Sequence, residues 1–136
     1  MKATDLMIGY WVMSVHPAMQ RPIIVTEVLD RNVGYKSGVV IGVIHQSFFE
    51  PIPLTKEILE ENGFVIKKKW AQIGNFGDSP LIMWHFVDDP VLKNYKHELE
   101  VHQNDTGKVH VHIPCEYVHE LQHALRLCGI EKEIEL

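Results

Sequence analysis

A chain of 136 residues, 46% hydrophobic and 23% charged, can bury one sizeable core or two small ones. Its formal charge of -5 argues against the basic face of a general nucleic-acid binder. No segment approaches the roughly 20 apolar residues of a membrane-crossing helix, and the opening MKATDLMIGYWVMSV, broken by Asp5, does not read as a secretion signal.

The first 53 residues hold three β-branched or aromatic runs, LMIGYWVM, PIIVTEVL and GVVIGVI. They are broken at His16-Pro17, Asp30-Arg31-Asn32 and Lys36-Ser37-Gly38. Short strands at this spacing, with glycines at 9, 34, 38 and 42 for bends and bulges, predict an SH3-like β subdomain over residues 1–53. The stretch EPIPL reads as an extended linker, because alternate prolines do not fit a central strand. A helix follows from Thr55 to Asn62, with Thr55 as N-cap, Glu57 at the positive end and Asn62-Gly63 as the stop.

Four strand candidates come next: FVIKKKWAQI, LIMWHFV, YKHELEVHQ and KVHVHI. Lys67, Lys68 and Lys69 lie within the first and read as a solvated strand, with a local phosphate contact as the alternative. The last two form a hairpin whose loop, Asp105-Thr106-Gly107, sets Gln103 opposite Val109. His102 then faces His110, Glu100 faces His112, Val101 faces Val111 and Leu99 faces Ile113. A closing helix from Cys115 to Leu127 ends at Gly129, and EKEIEL is either an edge strand or a trailing tail. Cys115 and Cys128, at opposite ends of that helix, would stand about 20 Å apart and read as free thiols, with Cys128 in the core.

The closing helix carries His119-Glu120-Leu121-Gln122-His123, an H-E-x-x-H string. Histidines at i and i+4 can share a zinc ion while the glutamate serves as base for metal-bound water. Three features oppose that reading. With nine histidines and twelve glutamates, chance supplies such a string in roughly one chain in twenty. Downstream of His123, only Glu131, Glu133 and Glu135 are candidate third ligands. The helical wheel gathers Tyr117, Val118, Leu121, Ala124, Leu125 and Cys128 on one face and sets His119 and His123 opposite, so the histidines read as a solvated face.

His102, His110 and His112 beside Glu100 read as the wet face of an antiparallel sheet, with transition-metal binding as the alternative. His16, His45, His85 and His97 are isolated, which suits turn, edge or core roles. Phe48-Phe49 reads as a hydrophobic contact or an internal seam. Nucleophile-elbow and phosphate-loop motifs are absent from the sequence.

Three stretches carry a resemblance: DLMIG with Trp11-Val12, EPIPLTKEILEENGF at residues 50–64, and YVHELQ at 117–122 followed by Gly129. On these the chain resembles, nearly end to end, a family of small uncharacterised bacterial and prophage-associated proteins. The resemblance implies kinship without an activity. It also implies that asparagine often stands at the position of His123 and glutamine at that of Glu120, so the zinc string departs from the family pattern.

The expectation is an α+β protein: an SH3-like subdomain over residues 1–53, then helix, four-stranded antiparallel sheet and helix over 54–136. Its expected function is that of a non-enzymatic cytoplasmic accessory or interaction protein with a protein partner, no cofactor and no metal. The alternatives are a zinc hydrolase using His119, His123 and Glu120, and a nucleic-acid contact through Lys67–Lys69.

Overall fold

A computed structural model of the chain describes residues 1–74, 80–87, 96–102 and 110–136. The fold is mixed α+β, with two five-stranded antiparallel sheets and two α-helices among the described residues. The chain divides into two compact units. The first is Met1–Pro53 with Tyr117–His123; the second is Leu54–Glu116 with Ala124–Leu136.

The first unit contains β1 (Trp11–Ser14), β2 (Pro22–Val28), β3 (Asn32–Ser37), β4 (Val40–His45) and β5 (Phe49–Glu50), ordered β4-β3-β2-β1-β5. Alternation along the strands turns Val12, Ile23, Val25, Val33 and Ile44 inward, where they cluster with Tyr10, Phe49, Ala3 and Leu6. Strand β3 corrects the sequence reading, which placed only breaks around residues 32–37. Gly34 and Lys36 weaken its own β signal, yet it pairs along both sides with the Val/Ile-rich β2 and β4. Gly34 also has a local reason: a Cβ there would lie 3.0 Å from Glu27 Cβ and 3.2 Å from Thr26 Oγ1, where β2 bulges. The EPIPL stretch is extended as expected, with Ile52 buried and accepting from Val118 N–H at 2.9 Å.

In the second unit, α1 (Lys56–Glu61) starts and stops on the expected residues. Thr55 Oγ1 accepts from Ile58 N–H at 3.2 Å, Asn62 is the C-cap, and Gly63 takes φ 88. The sheet contains β6 (Val65–Ile66), β7 (Trp70–Ile73), β8 (Leu81–His85), β9 (Glu98–His102) and β10 (His110–Pro114), ordered β10-β9-β8-β7-β6. The expected strand count of four is thus corrected to five, because FVIKKKWAQI folds back on itself. Lys67 N–H donates to Trp70 O at 2.7 Å, and β6 pairs antiparallel with β7. Three successive ammonium groups favour the solvated tip of a turn over a ladder.

The β9–β10 register matches the sequence reading: His102 faces His110, Val101 faces Val111, Glu100 faces His112 and Leu99 faces Ile113. The predicted Gln103–Val109 pair and the loop 105–107 lie outside the described residues. Leu99, Val101, Ile82, Trp84 and Ala71 are buried, and Trp84 Nε1–H donates to Cys115 O at 2.9 Å.

The second helix, α2 (Val118–Leu127), begins three residues later than expected. Cys115 N–H is still paired with His97 O at 2.8 Å, so the chain stays extended past Pro114. Cys115 is the buried thiol, whereas Cys128, expected in the core, is only partly buried; neither forms a disulfide. The tail forms no strand. Ile134 is buried, Asn62 Nδ2–H donates to Glu135 O at 2.9 Å, and Asn62 Oδ1 accepts from Glu135 N–H at 2.7 Å.

Candidate functional site

The H-E-x-x-H string lies on the first two turns of α2, and its residues are engaged within the first unit. Glu120 is the third helical residue, and its Oε1 accepts from Tyr117 N–H at 3.1 Å. That is the glutamate half of a capping box, in which a carboxylate covers a donor at the helix start. Gln122 grips the entry to β1 with both ends of its amide. Its Oε1 accepts from Trp11 N–H at 2.9 Å, and its Nε2–H donates to Gly9 O at 3.0 Å. The YVHELQ and DLMIG–Trp11 stretches therefore meet at this amide.

His123 is exposed, but its Nδ1 lies 2.5 Å from the hydroxyl of the buried Tyr10. With the phenol as donor, the imidazole proton sits on Nε2. His119 stacks on Tyr117 with ring centroids 5.9 Å apart and an interplanar angle of 16°. Its Nδ1 is buried and has no hydrogen-bond partner among the described residues. Burial pushes the His119 pKa down; the charges of Glu120 and Asp5 oppose this, and His123 adds to it. The expectation of a plainly solvated histidine face is corrected: His119 is half-buried, and Tyr10 reaches His123. The wheel placed the apolar face but could not show that the Gly9–Trp11 segment would stand against the opposite one.

His102 and His112 share their sheet face with His85, a residue read as isolated. Glu100 Oε2 lies 2.7 Å from His85 Nε2, and Glu100 Oε1 lies 3.0 Å from His102 Nε2. His112 Nε2 lies 2.6 Å from Glu98 Oε2, and His110 stands opposite His102 in register. Burial pushes the Glu100 carboxyl up, but the hydrogen bonds and charge of His85 and His102 outweigh it and hold the pKa below its usual range. Only the β8–β9 register, which sets Met83 opposite Glu100 and His85 opposite Glu98, brings His85 here. No local sequence pattern marks it. Among the described residues, no three His, Cys, Asp or Glu side chains are grouped so as to hold a metal ion.

The remaining candidates are structural. His45 Nδ1 accepts from Ser47 N–H at 3.1 Å, and His16 Nδ1 accepts from Ala18 N–H at 3.1 Å, each closing a turn. His97, read as isolated, is instead held at several points. Its ring packs on Trp84 with centroids 4.7 Å apart, and its Nδ1 accepts from Val87 N–H at 2.8 Å. Phe49 is buried in β5, while Phe48 is exposed and lies edge-on to His16.

A surface absent from the sequence reading emerges from the strand order. Strand β4 is an edge of the first sheet and is paired only with β3 among the described residues. Ile41 is 77% exposed and Val43 61% exposed. No charged residue lies between Ser37 and Ile44. Gln46 N–H donates to Arg31 O at 2.8 Å, which fixes the phase of the β3–β4 ladder. Alternate pairs are hydrogen-bonded, so Val40, Gly42 and Ile44 turn their backbone groups to β3, whereas Ile41 and Val43 turn theirs outward. Gly42 lies under Tyr35, its partner in register, and a Cβ there would come within 2.8 Å of Tyr35 Oη.

No protein-family model, curated protein or solved structure matches the chain. No helix among the described residues is long and apolar enough to cross a membrane.

Proposed function

We propose that this chain is a non-enzymatic cytoplasmic interaction protein, allied through its resemblance to prophage-associated proteins, and that the β4 edge is its binding element. The carrying observation is an uncharged six-residue edge strand with Ile41 and Val43 exposed. Native sheets ordinarily guard such an edge, because its free N–H and C=O groups recruit other strands. The order β5-β1-β2-β3-β4, with a 3-10 turn at Gln46–Phe48 before β5, supports reading residues 1–53 as an SH3-like module. Such folds host many activities, so the edge carries the functional reading. The bonds of Glu120, Gln122 and His123 support a structural role for the H-E-x-x-H string over a zinc hydrolase.

The test is a photoreactive residue at position 41, with position 127, also exposed on α2, as control. The reading expects a discrete protein adduct in cells from position 41 and none from 127. Identical adducts from both positions, or none from position 41, refute it. Metal analysis of untagged protein tests the hydrolase directly: stoichiometric zinc lost in His119→Ala/His123→Ala would replace the present reading.

A further inference from the structure

The sequence of β4 also indicates what binds there. From Val40 to Ile44 it reads Val-Ile-Gly-Val-Ile, which is a palindrome in side-chain class about Gly42. We infer that the occupant of the β4 edge is the same edge of a second copy of this chain, paired antiparallel about a two-fold axis at Gly42. The inference rests on the reading of β4 as the binding element and adds its partner.

Three properties of the strand converge on this register. Apposition about Gly42 sets Ile41 against Val43 of the partner subunit, and Val40 against the partner's Ile44. Every such pair is β-branched, and each keeps its face, because an antiparallel register that joins positions of equal parity leaves inward residues opposite inward ones. Ile41 and Val43 are also the positions whose backbone groups point outward. Each Ile41–Val43 pair thus exchanges two N–H to C=O bonds, giving four across the axis. Finally, an isologous contact opposes a patch to itself, so any charge on it would meet its like. The run from Ser37 to Ile44 has none, which removes that penalty although the chain as a whole carries -5. A charged extended ligand would find no counter-charge on this strand, whereas an uncharged copy of it fits. Gly42 keeps the axis open, since Tyr35 covers the inner side where a side chain would stand. The product is a continuous ten-stranded sheet.

Sedimentation velocity of the full chain from about 1 to 500 μM tests the association. The expected result is a concentration-dependent doubling of mass that Ile41→Lys/Val43→Lys abolishes, with an unchanged far-UV circular dichroism spectrum. Register is read independently in a Cys128→Ser background. An equimolar mixture of Ile41→Cys and Val43→Cys chains should form a covalent heterodimer on mild oxidation, because hydrogen-bonded antiparallel pairs place Cα atoms about 5.5 Å apart, within disulfide reach. Either variant alone should cross-link at least ten-fold less. A wild-type chain that stays monomeric throughout this range overturns the second-copy inference, while a hetero-protein adduct from position 41 would still uphold the binding edge. Association that survives the double lysine change, or cross-linking equal in all three samples, overturns the inference as well.

Discussion

Among the described residues the two sheets have four outer strands, and three of them are guarded. In the second sheet β6 has only two residues and runs into Lys67-Lys68-Lys69, while β10 carries the exposed His112 and ends at Pro114, which has no N–H to offer. In the first sheet β5 is again two residues long. Strand β4 has six residues, no Asp, Glu, Lys or Arg, and the side chains of Ile41 and Val43 in solvent. Of these four edges β4 alone lacks such a guard, which supports its proposed role as the binding element. Transferring a guard onto β4 should therefore end association at little cost in stability, since substitutions at exposed positions without partners usually change stability by less than about 0.5 kcal/mol.

The units also differ in how their elements are tied down, and one amide serves in each. Asn62 is buried and makes three bonds: Nδ2–H to Ile58 O and Glu135 O, and Oδ1 from Glu135 N–H. Asn62→Ala should cost about 2–3 kcal/mol by urea denaturation and expose the last residues to carboxypeptidase. Gln122 makes two bonds, to Gly9 O and Trp11 N–H, and is only partly buried. Gln122→Ala should cost about 1–2 kcal/mol, with amide exchange accelerated at Trp11. Equal costs would indicate that burial of the amide, which differs between the sites, does not scale them.

A smaller contrast lies within the first sheet. Gly42→Val replaces a poor strand former with a good one, yet its Cβ would displace the Tyr35 ring. The expected loss is about 1 kcal/mol, recovered in the double change with Tyr35→Thr. A stabilised single variant would show that Tyr35 moves aside freely.

How much of this the sequence disclosed depends on how local the cause was. The caps of α1 and the β9–β10 register follow from neighbouring residues: Thr55, Asn62 and Gly63 in one case, alternation agreeing with a short loop in the other. Strand β3 was hidden because its stability comes from β2 and β4 on either side. His85 was hidden because residues far apart in sequence bring β8 beside β9. The capping role of Glu120 was partly masked by Tyr117, since an N-cap of this type usually announces itself with Ser or Thr. The guard on three edges and its absence on the fourth could not be read at all before the strand order was known.

Acid should separate the units as well, through opposite kinds of group. His119 has a pKa lowered from 6.5 chiefly by burial, so the unfolded chain binds its proton first as pH falls. Its contribution to stability is complete above pH 6.5 and is lost as pH drops toward the lowered folded value. Glu100, lowered from 4.5 by His85 and His102 against the burial that raises it, keeps its contribution down to about pH 4.5 and loses it below. The first unit should therefore begin to weaken as pH falls below 6.5, before Glu100 affects the second below about 4.5. Amide exchange at Val12 and Val25, compared with Leu99 and Val101 across that range, measures the order directly. His119→Gln, which cannot charge, should flatten the pH dependence at Val12 and leave that at Leu99 unchanged. A flat response already in the wild-type chain would show that burial does not hold the His119 pKa below its usual value.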